Sequence, residues 1–183
     1  GPVVLNLSTS MTTEALARDR GCPVHRTPVG EIHVVGGMLE RGAVLGGEGN
    51  GGVIDPRVGL VRDSFVGMAV TLDLLASGGV SKPLSAWVDE LPRFAMVKDQ
   101  YPLPSGLSPA DVASLWDRIA AKHPTAESDR RDGLRLSWGD RWVHVRASNT
   151  EPIVRVIAEA PEAATARALA EGVGRQVTGE GSS

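Results

Sequence analysis

LRLSWGDRWVHVRASNTEPIVRVIAEA, residues 134–160, decides how the second half of the chain folds. Two alternating runs, LRLSW and RWVHV, flank Gly139-Asp140, a two-residue loop of the composition that closes hairpins through a type I′ or II′ turn. In that register Leu134, Leu136, Val143 and Val145 share the core face. Arg135, Ser137, His144 and Arg146 share the opposite, polar face, because successive strand residues point to opposite sides. IVRVIAEA, residues 153–160, reads as a further strand. Between the two lies RASNTEP, residues 146–152. The Arg146 guanidinium can fork onto two oxyanion oxygens, and Ser148, Asn149 and Thr150 add neutral donors, as do the N–H groups of a tight loop. That set suits a phosphate monoester. The same residues also make an ordinary polar turn with a surface arginine.

Working outward, Ser108, Pro109 and Asp111 form a helix start for a segment reaching Lys122, and a last helix follows Pro161. FAMVKDQY, before the connector PLPSGLSP, reads as a strand. Residues 92–183 therefore form a small α+β domain with an antiparallel sheet. Residues 1–91 read differently, as strand–helix alternation with short connections. The elements are VVLNL, a helix over 12–20 stopped by Gly21, PVHR, a helix over 30–41 ending at Gly42, and AVLG. Asp63 then caps a helix carrying Phe65, Val66, Ala69, Leu72 and Leu75 as its apolar residues and closed by Gly78-Gly79, and a short helix over 84–91 ends at Pro92. This is the pattern of a parallel sheet covered by helices, an α/β/α domain. Loops at the carboxyl ends of such strands are where ligands sit.

With 183 residues, the chain has room for two domains that each bury a core. The net charge of −3 and the lack of a basic stretch argue against a nucleic-acid partner. No apolar run approaches the roughly 18 residues of a membrane span. The single Cys22 cannot form an internal disulfide and is in keeping with a reducing cytoplasm. GGEGNGG, residues 46–52, satisfies the dinucleotide spacing G-x-G-x-x-G, with Asp73 downstream. That fingerprint needs its glycines to open a helix, whereas Val53-Ile54-Asp55-Pro56 reads as strand then turn. Sugar recognition is the alternative. Glu48 can accept from two neighbouring hydroxyls, Asn50 can donate and accept, and the glycines allow close backbone approach.

Three stretches carry a resemblance. RASNTEP followed by IVRVIAEA resembles the phosphate-binding loop in the last domain of the α-D-phosphohexomutases, the phosphoglucomutase/phosphomannomutase family. GGEGNGG resembles the sugar-binding loop of that family's third domain, and RTPVGE, residues 26–31, resembles the turn into a helix of the same domain. The order is right and the matches span most of the chain. The resemblance implies that Glu48 and Asn50 contact adjacent sugar hydroxyls, and that Gly30 and Glu31 face the ligand. Many members carry a basic or aromatic residue just after this glycine, where Glu31, Ile32 and His33 stand here, a departure from the pattern; His33 is either a proton-transfer candidate, as histidines titrate near neutrality, or an idle helix-face residue. Arg146, Ser148, Asn149 and Thr150 would hold phosphate, and Arg155 either adds charge there or is an exposed strand residue. Arg62-Asp63 is explained by a cap and a surface ion pair.

The resemblance is to a C-terminal half only. The family's phosphoserine loop and its Asp-Gly-Asp Mg²⁺ loop have no counterpart here: Ser8-Thr9-Ser10 has no activating neighbour, and Asp132-Gly133 is followed by Leu134. The expectation is therefore that no catalytic residue and no metal ligand lies in this chain. Mg²⁺ and a hexose bisphosphate activator would belong to the full-length enzyme, and the partners would be a hexose phosphate and a missing N-terminal catalytic half. A start on a bare strand at GPVVLNL fits that reading. The substrate could be a glucose or mannose phosphate, or, as in phosphoglucosamine mutase, a 2-amino sugar phosphate. A stand-alone phosphosugar-binding module is a third reading, and a structural interaction domain a fourth. The segment around Leu91 to Arg93 is the expected hinge.

Overall fold

The computed structural model describes residues 1–77, 82–104, 106–148 and 150–179. The chain divides into two compact units, Gly1–Arg93 and Phe94–Ser183. The expected helix closure at Gly78-Gly79 and the position of Asn149 lie outside the described residues.

In the first unit the elements run β1 (Val3–Asn6), α1 (Met11–Asp19), β2 (Val24–Thr27), α2 (Glu31–Arg41), β3 (Leu45–Glu48), β4 (Gly52–Ile54), α3 (Ser64–Ser77) and α4 (Leu84–Asp89). The sheet order is β2-β1-β3-β4, with β1 parallel to β2 and β3. β4 runs antiparallel to β3, so the sheet is mixed rather than wholly parallel. The connection from Glu48 to Gly52 is too short for anything but a hairpin return, since a parallel crossover needs a dozen residues or more. Val4, Val34, Met38, Ala43 and Ile54 form the core on the α2 side, and Val3, Leu5 and Ala17 form a second cluster with α1. Alternation along β1 feeds both layers, and each fully buried aliphatic side chain contributes about 1.5–3 kcal/mol.

Helix α3 departs from expectation. Asp63 caps it, accepting from the N–H groups of Phe65 (2.8 Å) and Val66 (3.3 Å). Of its expected core residues, Val66 is buried, but Phe65 and Leu72 are 80% and 65% exposed. The helix packs chiefly on β4, a three-residue edge strand too small to cover its apolar stripe.

The second unit runs β5 (Ala95–Pro102), α5 (Pro109–Ala121), β6 (Glu127–Asp129), β7 (Leu134–Ser137), β8 (Trp142–Ala147), β9 (Ile153–Ala160) and α6 (Ala163–Thr178). Its sheet, in the order β5-β9-β8-β7-β6, is antiparallel throughout. The short β6 was not foreseen. Ser108 and Asp111 close the expected capping box around α5. Leu115, Trp116 and Ile119 of α5 and Ala170, Val173 and Val177 of α6 meet Leu134, Leu136, Val143, Val145, Val154, Val156 and Ala158 in one core.

The predicted hairpin register holds, with Leu134 opposite Val145 and Leu136 opposite Val143, and Trp138 N–H donating to the Arg141 carbonyl at 2.9 Å across the loop. The turn type does not, because neither Gly139 nor Asp140 has a positive φ. The polar face is also less open than expected. Trp142, His144 and Glu159 on it are buried, and the Trp142 indole Nε1–H donates to Glu159 Oε2 at 2.8 Å. Arg135 lies over the Trp142 ring, 5.0 Å from its centroid.

Candidate functional site

GEGNGG does not open a helix. Gly47 and Glu48 end β3, the chain turns, and Gly52 begins β4, so the dinucleotide spacing is incidental. Asp55 continues into a turn instead, where the Arg57 guanidinium holds its carboxyl down at about 2.

Glu48 sits at the carboxyl end of β3 and is buried. Its Oε1 accepts from Asn6 Nδ2 and from the Gly30 backbone N–H, both at 2.9 Å. Its Oε2 accepts from Asn50 Nδ2 at 3.5 Å and pairs with Arg62 Nη1 at 3.0 Å. A carboxylate removed from water needs such a set, since each unmet lone pair would carry a desolvation cost. Arg62 spans two carboxylates, because its Nε donates to Glu31 Oε2 at 2.6 Å. That bond, first among its causes, lowers the Glu31 pKa and raises that of Arg62. Of the sequence-derived residues, Gly30, Glu31, Glu48 and Asn50 are thus joined in one hydrogen-bonded group at the carboxyl ends of parallel strands. His33, one turn along α2, is exposed; its backbone N–H donates to the Gly30 carbonyl at 3.0 Å, but its ring makes no hydrogen bond to the group among the described residues.

Asn6 escaped the sequence reading, and Arg62, expected in a surface ion pair, was not foreseen as a partner of Glu48. Asn6 ends β1, and its Oδ1 accepts from Ser8 N–H and Thr9 Oγ1–H, both at 2.9 Å, while its amide holds Glu48. A polar residue closing the apolar run VVLN at a carboxyl strand end was the available signal. Arg62 carried none, being separated from its partner by the loop, β4 and a turn.

In the second unit, β8 delivers Arg146 and β9 delivers Arg155, and these two arginines are directly paired across the antiparallel ladder. Like charges in that position repel. Arg146 Nη1 lies 3.7 Å from Asp132 Oδ2, and Arg155 Nη2 lies 3.5 Å from Glu151 Oε2, both long for ion pairs. The Arg155 Nε is buried and has no hydrogen-bond partner among the described residues. Beside them the Ser148 backbone N–H donates to the Ile153 carbonyl at 2.9 Å, which folds the loop back on itself. The Ser148 and Thr150 hydroxyls stand 3.4 Å apart. Arg146, Ser148, Thr150 and Arg155 are therefore gathered at one end of the sheet, with donors in excess of acceptors.

His144, two residues before Arg146, donates from Nε2 to the Asp132 carbonyl at 2.6 Å. Burial pushes its pKa down, outweighing the opposite pull of the Asp132 carbonyl and carboxylate, while Arg135 and Arg146 reinforce the drop. A histidine with a folded pKa below its unfolded value of about 6.5 favours the fold while neutral. Below that pH the unfolded chain takes up a proton that the fold refuses, so stability falls on acidification. Urea melts at pH 7 and pH 5 should show a loss in the wild type that His144→Gln, which keeps a donor for Asp132, largely abolishes. Equal losses in both proteins would remove His144 as the cause.

Among the described residues no group of three or more His, Cys, Asp or Glu side chains could hold a metal ion. The Mg²⁺ implied by the family resemblance thus has no carboxylate cage among the described residues of this chain. No helix of the described residues is long and apolar enough to cross a membrane.

Residues 1–94 match the family model of phosphoglucomutase/phosphomannomutase alpha/beta/alpha domain III, and residues 107–175 match the model of the same family's C-terminal domain. The chain belongs to the phosphoglucomutase/phosphomannomutase family. It is 35% identical over 169 residues to a probable phosphoglucosamine mutase of Methanopyrus kandleri. It is 36% identical over 171 residues to a phosphoglucomutase/phosphomannomutase of Thermococcus kodakarensis. These alignments cover 92% and 93% of this chain but 36% of each relative. A crystal structure of a phosphoglucomutase/phosphomannomutase family protein from Burkholderia thailandensis superposes with a TM-score of 0.77 at 25% identity, covering 97% of this chain and 37% of that one. The chain thus spans just over a third of these family members and corresponds to their C-terminal portion.

Proposed function

We propose that this chain is the substrate-positioning part of a phosphohexomutase that interconverts hexose 1-phosphate and hexose 6-phosphate through a bisphosphate intermediate in a reducing cytoplasm. The observation that carries the reading is the pairing of Arg146 with Arg155 across β8 and β9 beside the Ser148–Thr150 hydroxyls. Two guanidiniums held side by side, one with a buried Nε that has no partner among the described residues, are stabilised by a bound dianion that accepts from both. In the first unit, Glu48, Asn50 and Gly30 form the sugar side of the reading, with Glu48 accepting from hydroxyls and Asn50 donating and accepting.

Phosphoryl transfer depends on in-line placement, and a non-reacting phosphate held by arginines contributes by orienting the other end of the sugar. The phosphoserine and Mg²⁺ belong, on this reading, to a catalytic half outside this chain. The 183-residue chain should bind glucose 6-phosphate weakly, in the millimolar range by order of magnitude (about 4 kcal/mol), and show no turnover. Calorimetric or NMR titration measures the first and a coupled mutase assay the second; detectable mutase activity of the purified chain would overturn the assignment. Glu48→Ala should erase the preference for glucose 6-phosphate over inorganic phosphate.

A 2-amino sugar phosphate is the second reading, supported by the Methanopyrus relative's name. Competition between glucosamine 6-phosphate and glucose 6-phosphate separates the two. The coding sequence upstream of Gly1 separates both from a stand-alone binding module. An in-frame serine–histidine loop and Asp-Gly-Asp loop belong to the mutase, and a start codon there belongs to the module.

A further inference from the structure

We propose that Arg62 is itself a substrate-contacting residue of the sugar site, donating to the same hydroxyl that donates to Glu48. The inference rests on the hexose-binding reading of Glu48 and Asn50 above. Glu48 is already oriented through Oε1, which accepts from Asn6 and Gly30 at 2.9 Å each. Arg62 is therefore not needed to hold the carboxylate, and its contact with Glu48 lies on the other oxygen, Oε2, where the only companion among the described residues is the 3.5 Å bond from Asn50. That long bond marks the place a sugar hydroxyl takes with least loss.

The guanidinium is fixed in its plane by two carboxylates, Nε on Glu31 and Nη1 on Glu48, at 2.6 and 3.0 Å. Its remaining nitrogen, Nη2, makes no hydrogen bond among the described residues. The side chain is 37% exposed, so this edge is reachable. A hydroxyl donating to Glu48 Oε2 lies beside a guanidinium nitrogen able to donate to the hydroxyl oxygen. The result is the paired donor–acceptor contact that a hydroxyl, with one proton and two lone pairs, can satisfy fully. Inorganic phosphate, an anion facing the Glu48 carboxylate, is repelled there and has no sugar hydroxyl to place in the pair.

Gly52 shows how closely the arginine is seated. A Cβ at that position would lie 2.2 Å from Arg62 Cδ and 2.8 Å from Cγ, so only glycine lets the arginine stem lie flat against β4. Gly52 does not have a positive φ, so alanine suits its backbone and would act on the arginine alone.

The test is NMR titration of the 183-residue chain and of Arg62→Met with glucose 6-phosphate, with glucose 6-phosphate analogues lacking the 3- or 4-hydroxyl, and with inorganic phosphate. Arg62→Met should weaken glucose 6-phosphate about tenfold, as for one charged hydrogen bond, and leave inorganic phosphate unchanged. One of the two deoxy analogues should bind less tightly than glucose 6-phosphate to the wild type, and by a smaller margin to Arg62→Met, where only the bond to Glu48 remains to be lost. Gly52→Ala should reproduce the loss with the arginine still present, which covers a variant at residue 62 that folds poorly. Unchanged glucose 6-phosphate affinity in both variants overturns the role of Arg62 and leaves the sugar reading intact. A wild type that does not prefer glucose 6-phosphate to inorganic phosphate overturns both.

Discussion

Arg146→Ala is expected to weaken phosphate and hexose phosphate binding by about 10–100-fold while leaving the second unit folded. A hydrogen bond to a charged group contributes about 1.5–3 kcal/mol, and each 1.4 kcal/mol is a factor of ten in affinity. What the residue contributes to folding is small by comparison. Its ion pair with Asp132 is 3.7 Å long and partly exposed, the class of contact that adds little to stability. Its cross-strand neighbour is another arginine, so its removal relieves repulsion in the empty protein. Phosphate binding and melting temperature, measured on the same sample, should therefore move independently. Arg146→Lys keeps the charge without the two-pronged geometry and should fall between wild type and alanine. A variant that loses phosphate only because the unit has unfolded would assign Arg146 to structure. One that binds phosphate as tightly as wild type would remove it from the site.

The parts of the fold that were legible in the sequence are those where a local rule and the tertiary structure agree. The alternation of LRLSW and RWVHV predicts its own register, since a slip of one residue would turn Leu134 and Leu136 away from the core. Ser108 and Asp111 announce a helix start through their own hydrogen bonds. Helix α3 was misjudged because apolar composition says which residues avoid water and not whether a surface is present to cover them. The buried layer of Trp142, His144 and Glu159 was missed for a related reason: polar residues on a strand face imply solvent unless their partners are known, and Trp142 and Glu159 become partners only through the β8–β9 pairing. The turn at Gly139 was read from composition, which permits a positive φ without requiring one.

The candidate site divides the same way. Glu48 and Asn50 stand in one short motif, as do Arg146, Ser148 and Thr150, so local sequence exposes them. Asn6 and Arg62 belong to the group only through long-range contacts, over 42 positions in the case of Asn6 and Glu48. The pairing of Arg146 with Arg155 is legible once the strand ends are known, and it sets the two guanidiniums side by side at one end of the sheet.

Gly133→Ala is expected to be a severely damaging single-methyl change in the second unit, costing about 3–5 kcal/mol against the 5–15 kcal/mol that holds a domain together. Gly133 has a φ of +77°, where an L side chain alone costs about 1–3 kcal/mol. The added Cβ would also lie 2.2 Å from the Val145 carbonyl oxygen and 2.9 Å from Arg146 Cα. Those are backbone atoms of β8, which is hydrogen-bonded between β7 and β9, so no flexible side chain can yield. The strand must shift or the turn must open, and the turn also carries the Asp132 carbonyl that accepts from His144. At about 4–8 °C per kcal/mol for a unit of this size, thermal unfolding of the second unit should begin roughly 12–40 °C lower. Gly139→Ala is the control, since nothing lies within 4 Å of a Cβ there and its φ is not positive, and it should be nearly neutral. Wild-type melting of Gly133→Ala would mean that β8 is not held where its ladder holds it. If the loss is as large as expected, phosphate binding should fall with it even at temperatures where the unit stays folded, because the atoms that must yield are the Val145 carbonyl and the Arg146 Cα that follows it.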